Sequence, residues 1–125
     1  MIEVRVPSTQ STDGVRIEVF ASLLANYGRK LHTVDAGSTF QIPHGKAHAH
    51  GNEDRLLPIA GEIWLAYQTA DQRVEYRRLV PGHQYVIPPH IPHQVEIRGG
   101  VLESLFPTVV YELKIPIREF AGGFF

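Results

Sequence analysis

The sequence predicts an all-β protein, closed into a barrel or folded into two packed sheets. Three observations carry this. Apolar and polar residues alternate over short runs, as in Val15-Arg16-Ile17-Glu18-Val19, the period of a half-buried strand. Glycine, proline and Asp/Asn punctuate those runs at regular intervals. The pattern fills the chain without an internal repeat, linker or low-complexity stretch, which points to one β domain over residues 1–125.

In chain order, Ile2, Val4 and Val6 alternate with Glu3 and Arg5 as a first strand, and STQSTDG follows as a loop. Val15 to Val19 is the second strand. Ala21 to Asn26 reads as one or two helical turns ended by Gly28. Leu31 to Val34 is a strand, Ala36-Gly37-Ser38 a turn, and Thr39 to His50 an extended stretch with a break at Pro43. Leu56 to Ile59, Ile63 to Tyr67 and Val74 to Leu79 are strands joined by turns at Ala60-Gly61 and Ala70-Asp71-Gln72. Gln84 to Ile87 follows the Pro81-Gly82 turn. His93 to Ile97 and Val101 to Phe106 read as a hairpin across Gly99-Gly100, and Val109 to Ile115 as a last strand. The two phenylalanines Phe124-Phe125 are expected to pack on this chain or on a partner.

Composition removes several functions. A net charge of −1 gives no electrostatic hold on nucleic acid or an anionic membrane. No apolar run approaches a membrane span, and the first residues do not resemble a secretion signal, so the cytoplasm is expected. With no cysteine, a metal must be held by nitrogen and oxygen.

The chemistry concentrates at His48-Ala49-His50 and at Ile87-Pro88-Pro89-His90-Ile91-Pro92-His93. Two histidines one residue apart on a strand face the same way. A third, His93, enters a later strand just after Pro92. With Asp54 or Glu53 close behind His50, these residues make a nitrogen and oxygen site for a divalent ion. The same parity, on an unbroken strand, puts His44 and Lys46 at the mouth of the barrel as substrate-binding candidates. Tyr85 should alternate inward with Ile87. His93, Val95 and Ile97 share one face, which turns Gln94 and Glu96 outward. Glu103, inside the apolar run Val101 to Phe106, is a candidate acid or base, with an outward carboxylate on a sheet face as the alternative. His90, between two prolines, is a candidate proton carrier.

These residues resemble the two motifs of the cupin superfamily. In the first, HxH is followed by a carboxylate and then by glycine; here these are His48, His50, Asp54 and Gly61. In the second, a glycine precedes a proline turn and a histidine; here these are Gly82, Pro88 and His93. The match covers residues 42–97. It departs at Ile42 and His90, where the family has glycine, at Asp54, where it has glutamate, and at Ile97, where it has asparagine. A residue at the His90 turn position is expected at positive φ, at a cost in strain. The resemblance implies a cupin-type jelly-roll barrel (a double-stranded β-helix). It also implies one divalent ion (Zn, Fe, Mn or Ni) on His48, His50, His93 and Asp54, with Glu53 as the alternative carboxylate.

Three functions fit such a site. One is a metal-dependent isomerase, epimerase or lyase on a small polar, carbohydrate-related or hydroxy-carbonyl substrate. The second is a non-haem Fe(II) oxygenase. The third is a barrel that binds a metal or ligand without turnover. The first is favoured, because three histidines and a carboxylate leave two positions for a bidentate substrate. A homodimer is expected, since small barrels expose edge strands that a partner commonly covers.

Overall fold

A computed structural model of the chain describes residues 5–22, 27–107 and 117–125. Nine strands lie among them: β1 (Arg5–Thr12), β2 (Val15–Ser22), β3 (Tyr27–Ile42), β4 (His48–His50), β5 (Asp54–Gln68), β6 (Val74–Arg78), β7 (Tyr85–Ile87), β8 (His93–Pro107) and β9 (Ile117–Glu119). All pair antiparallel. No helix of the described residues is long and apolar enough to cross a membrane.

Strand β8 is the spine. It pairs with β3 on one side and with β5 on the other for most of its length. Beyond β3 lie β2 and then β1. The first part of β5 carries β7 and its last part carries β6. Where β3 ends at Ile42, β4 takes over beside β8, with His48 opposite His93, and β9 flanks β4.

The three long strands break register at one level. The break lies between Val34 and Thr39 in β3, between Pro58 and Glu62 in β5, and at the facing Gly99-Gly100 of β8. An extra residue in a strand swaps its faces. Leu56 and Pro58 are therefore buried on one side of the break, and Ile63 and Leu65 on the other. In β8, Val95 and Ile97 face in before the break and Leu102 after it. Glycine is required here: Gly61 has φ +88°, and a Cβ on it would lie 2.0 Å from the Gly99 carbonyl oxygen.

This crease folds the sheet on itself. Tyr67 stands opposite His93, and Asp54 lies at the other end of the same strand. A straight strand would separate them by about 40 Å at ~3.3 Å per residue. Asp54 Oδ2 instead lies 2.8 Å from His93 Nε2. The two halves of the sheet face each other and close over one core of Val34, Leu56, Ile63, Leu65, Leu79, Ile87, Val95, Ile97 and Leu102.

Several expectations are corrected. Gly99-Gly100 is a bulge inside β8, not a hairpin turn, and Ala60-Gly61 is its counterpart inside β5. Ala36-Gly37-Ser38 is likewise a bulge within β3. Most of STQSTDG is strand, with the turn confined to Asp13-Gly14. Ala21 and Ser22 belong to β2 rather than to a helical turn. The remaining residues of that turn (23–26), the strand expected over 109–115 and the start of the first strand lie outside the described residues.

Candidate metal centre

The crease brings four side chains from three strands together. His48 and His50 come from β4, His93 from the start of β8 and Asp54 from the start of β5. Their nearest donor atoms all lie within 4.8 Å of one another. Asp54 Oδ2 is 3.0 Å from His50 Nε2 and 2.8 Å from His93 Nε2, and His48 Nε2 is 3.1 Å from His93 Nε2.

Backbone carbonyls orient two of the rings. The Nδ1–H of His50 donates to the Asn52 carbonyl oxygen at 2.9 Å, and the Nδ1–H of His93 to that of Ile91 at 2.7 Å. With Nδ1 carrying the proton, each neutral ring turns a lone pair on Nε2 toward the cluster. Lone pairs then face lone pairs, and a cation or extra protons must stand between them. Outer-sphere carbonyls on ligating histidines are the usual support of a metal site. Donors bound at about 2.1 Å and at right angles are spaced by about 3.0 Å, which matches the 2.8 to 3.1 Å found here. The set fits one divalent ion.

Without an ion, protons mediate the contacts. Burial works to raise the Asp54 pKa, but hydrogen bonds from His50 and His93 outweigh it and hold the carboxyl well below its usual range. The hydrogen bond to Asp54 raises His50. Burial, and then the charges of His93 and His50, lower His48 to about 4.

The cluster opens into a cavity of about 140 Å³ between the sheet halves. Ile42, Leu56, Val95, Leu102 and Leu105 make its apolar walls, and Lys30, His32 and Ser104 add polar groups. Lys30 and Ser104 are register partners across β3 and β8, as are His32 and Leu102. These three polar residues were missed by sequence reasoning. In Lys30-Leu31-His32-Thr33-Val34 the alternation leaves the inward face undecided, because Leu31 and Val34 have opposite parity.

The other candidates fall elsewhere. Glu53 is exposed and ion-pairs with Arg55 at 2.8 Å, so Asp54 is the carboxylate of the cluster. The strand does not extend back to 44: His44 is exposed in a turn, and Lys46 pairs with Glu119 at 2.8 Å. Neither lines the cavity. Tyr85 lines a separate groove on the side of β6 and β7, and its hydroxyl accepts the Val80 N–H. Glu103 has the parity opposite to Leu102 and Ser104 and sits 3.4 Å from Arg29, away from the cavity. His90 does adopt positive φ, +66°. Its backbone N–H holds the His50 carbonyl at 2.8 Å, while its side chain is exposed and outside the cavity lining.

Gln94 and Glu96 face outward as expected but are buried. The final segment covers Gln94. Phe120 N–H donates to the Ala47 carbonyl, Ala47 N–H to that of Gly122, and Phe124 N–H to Gln94 Oε1 at 2.7 Å. The Gln94 amide also donates to Pro43 O at 3.0 Å. Phe125 ends edge-on to the Tyr76 ring. The terminal aromatics thus pack on their own chain.

No family model matches the sequence, and no curated protein is similar to it at a significant level. Solved structures are similar in fold. Those of oxalate decarboxylase, including the Bacillus subtilis enzyme at pH 4.6 and variants of it, superpose with a TM-score of 0.62 at 13% identity. The match covers 81% of this chain and 27% of the decarboxylase chain. The architecture is the cupin jelly-roll, an all-β barrel that carries a metal-competent His₃Asp cluster in its interior.

Proposed function

We propose that this chain is a metal-dependent cupin enzyme of isomerase, epimerase or lyase type, acting on a small polar hydroxy-carbonyl or carbohydrate-related substrate. One observation carries the reading: three imidazole nitrogens and a carboxylate oxygen converge on one point of an internal cavity. The structural neighbours are named as a decarboxylase, which lies within the lyase branch.

His48, His50, His93 and Asp54 would hold the ion. When bound, a divalent ion polarises a carbonyl or hydroxyl oxygen and lowers the pKa of what it binds. Held by these four side chains, such an ion would still be open to oxygens of a substrate in the cavity. The Asn52 and Ile91 carbonyls keep His50 and His93 in one tautomer throughout. The apolar walls lower the local dielectric around the cluster, which strengthens charge interactions there. Among the polar wall groups, Ser104 can pass a hydrogen bond to substrate, and neutral His32 can hold or move a proton.

Metal analysis of protein purified without added metal, together with His93→Ala and Asp54→Asn, tests the site. The wild type should hold close to one ion per chain, and both variants far less. Full occupancy in His93→Ala sinks the assignment. Bound iron with oxygen uptake would favour the oxygenase over the isomerase or lyase, and a stoichiometric ion without turnover a binding protein.

We further propose that the protein works in the cytoplasm as a homodimer. Among the described residues β1, β6, β7 and β9 each pair on one side only, so their open edges invite a partner.

A further inference from the structure

Strand β4 carries two of the four donors, and its own support is slight. It meets β8 in one register pair, His48 opposite His93. Strand β9 pairs with all three of its residues, Glu119 opposite His48, Arg118 opposite Ala49 and Ile117 opposite His50. The contact continues past β9. Phe120 N–H donates to the Ala47 carbonyl at 3.0 Å, and Ala47 N–H to the Gly122 carbonyl at 3.1 Å.

The far end of this segment is anchored beside His93. Gln94, the next residue in β8, is fully buried. Its Oε1 accepts the Phe124 N–H at 2.7 Å, and its amide donates to Pro43 O at 3.0 Å and to Gln41 Oε1 at 3.2 Å. A buried amide with both ends used fixes what it joins, because a bond lost there is not replaced by water. It joins the His93 strand, the stretch that leads into β4, and residues 117–125. The packing is close: a Cβ on Gly123 would stand 2.9 Å from Gln94 Oε1.

We propose that residues 117–125, anchored by Gln94, brace His48 and His50 at the spacing an ion needs, so that ion binding and docking of this segment strengthen each other. Gln94 is then a positioning residue, acting through β4 rather than on the ion. The proposal rests on the metal reading above.

Donor spacing is the link. His48 Nε2 lies 3.1 Å from His93 Nε2, and His50 Nε2 3.0 Å from Asp54 Oδ2. Ligand bonds tolerate errors of only about 0.2 Å. Released from β9, β4 would keep the His93 pair and the His90 N–H on the His50 carbonyl. That is too little to hold three residues in one place, since even an isolated hairpin is marginal in water. The Lys46–Glu119 ion pair is exposed and adds little. Ion and segment favour the same position of β4, and such coupling is reciprocal.

Co(II) titration against a competing metal buffer, read from the visible absorption of the bound ion, tests the brace in wild type and three variants. Gln94→Met removes the amide at similar volume. Phe120→Pro removes one backbone donor, whereas Phe120→Ala keeps that donor and removes the ring. Gln94→Met and Phe120→Pro should bind Co(II) about tenfold or more weakly, and Phe120→Ala within about threefold of wild type, the scale expected for support behind a ligand. At saturation each should still hold close to one ion. In wild type, Co(II) loading should slow hydrogen exchange of residues 117–125 by about tenfold or more, since the coupling acts both ways. Unchanged affinity in Phe120→Pro, equal loss in Phe120→Ala, or exchange indifferent to the ion overturns the brace. Thermal melts check folding; should Gln94→Met fail to fold, the two Phe120 variants and the exchange decide. No uptake of Co(II) by wild type instead overturns the metal reading.

Discussion

At the residue scale, His90 and His32 illustrate opposite uses of a histidine. His90 sits in a left-handed conformation, φ +66°, with an exposed side chain. Its backbone does the work, through the N–H that holds the His50 carbonyl. Glycine adopts that conformation without the Cβ penalty of about 1 kcal/mol, offset in part by its greater unfolded-state entropy. His90→Gly should therefore leave turnover intact and shift stability by about 0 to +1 kcal/mol, read from urea denaturation. A hundredfold loss of activity would restore the catalytic role. His32 is buried, and burial followed by the Lys30 charge lowers its pKa from 6.5 to about 4. The unfolded chain binds that proton more readily than the native one. The stability it contributes is thus present above pH 6.5 and is lost as pH falls toward and through 4. Metal-free His32→Leu should show a shallower fall of unfolding free energy over that window than metal-free wild type. Parallel profiles would contradict the assignment.

At the scale of the element, the glycine bulges decide which side chains reach the interior. Gly61 packs its backbone on Gly99 and Gly100 at φ +88°, where a Cβ meets backbone rather than a movable side chain. Gly61→Ala should cost more than about 2 kcal/mol, since strain and overpacking add, and a denaturation midpoint close to wild type would show that the crease can shift. These bulges also mark how far the sequence could be read. His48, His50, Asp54 and His93 were legible because HxH parity and a proline-led strand entry are local signals. So was the positive φ of His90. Lys30, His32 and Ser104 were not, because their facing depends on pairing between strands some seventy residues apart. Gly99-Gly100 looked like a turn for the same reason: a bulge and a hairpin use the same residues. Parity carried from His93 could not reveal the inward side of Leu102 and Ser104, because it changes at that bulge.

At the scale of the whole molecule, a dimer should show by light scattering a mass near twice the chain's 14.0 kDa at micromolar concentration; a mass near 14.0 kDa would leave the open edges uncovered. The crease has a further consequence within one chain. It doubles a single sheet over, and the halves meet again at Asp54 on one side and at His48, His50 and His93 on the other. An ion there would act as a clasp on a folded page. Opening the page would break all of its bonds together, so ion affinity would become resistance to unfolding, by about 2.7 kcal/mol when free metal stands at a hundred times its dissociation constant. Catalytic cofactor and structural fastener would then be one atom, and a chelator that silenced the site would also loosen the barrel.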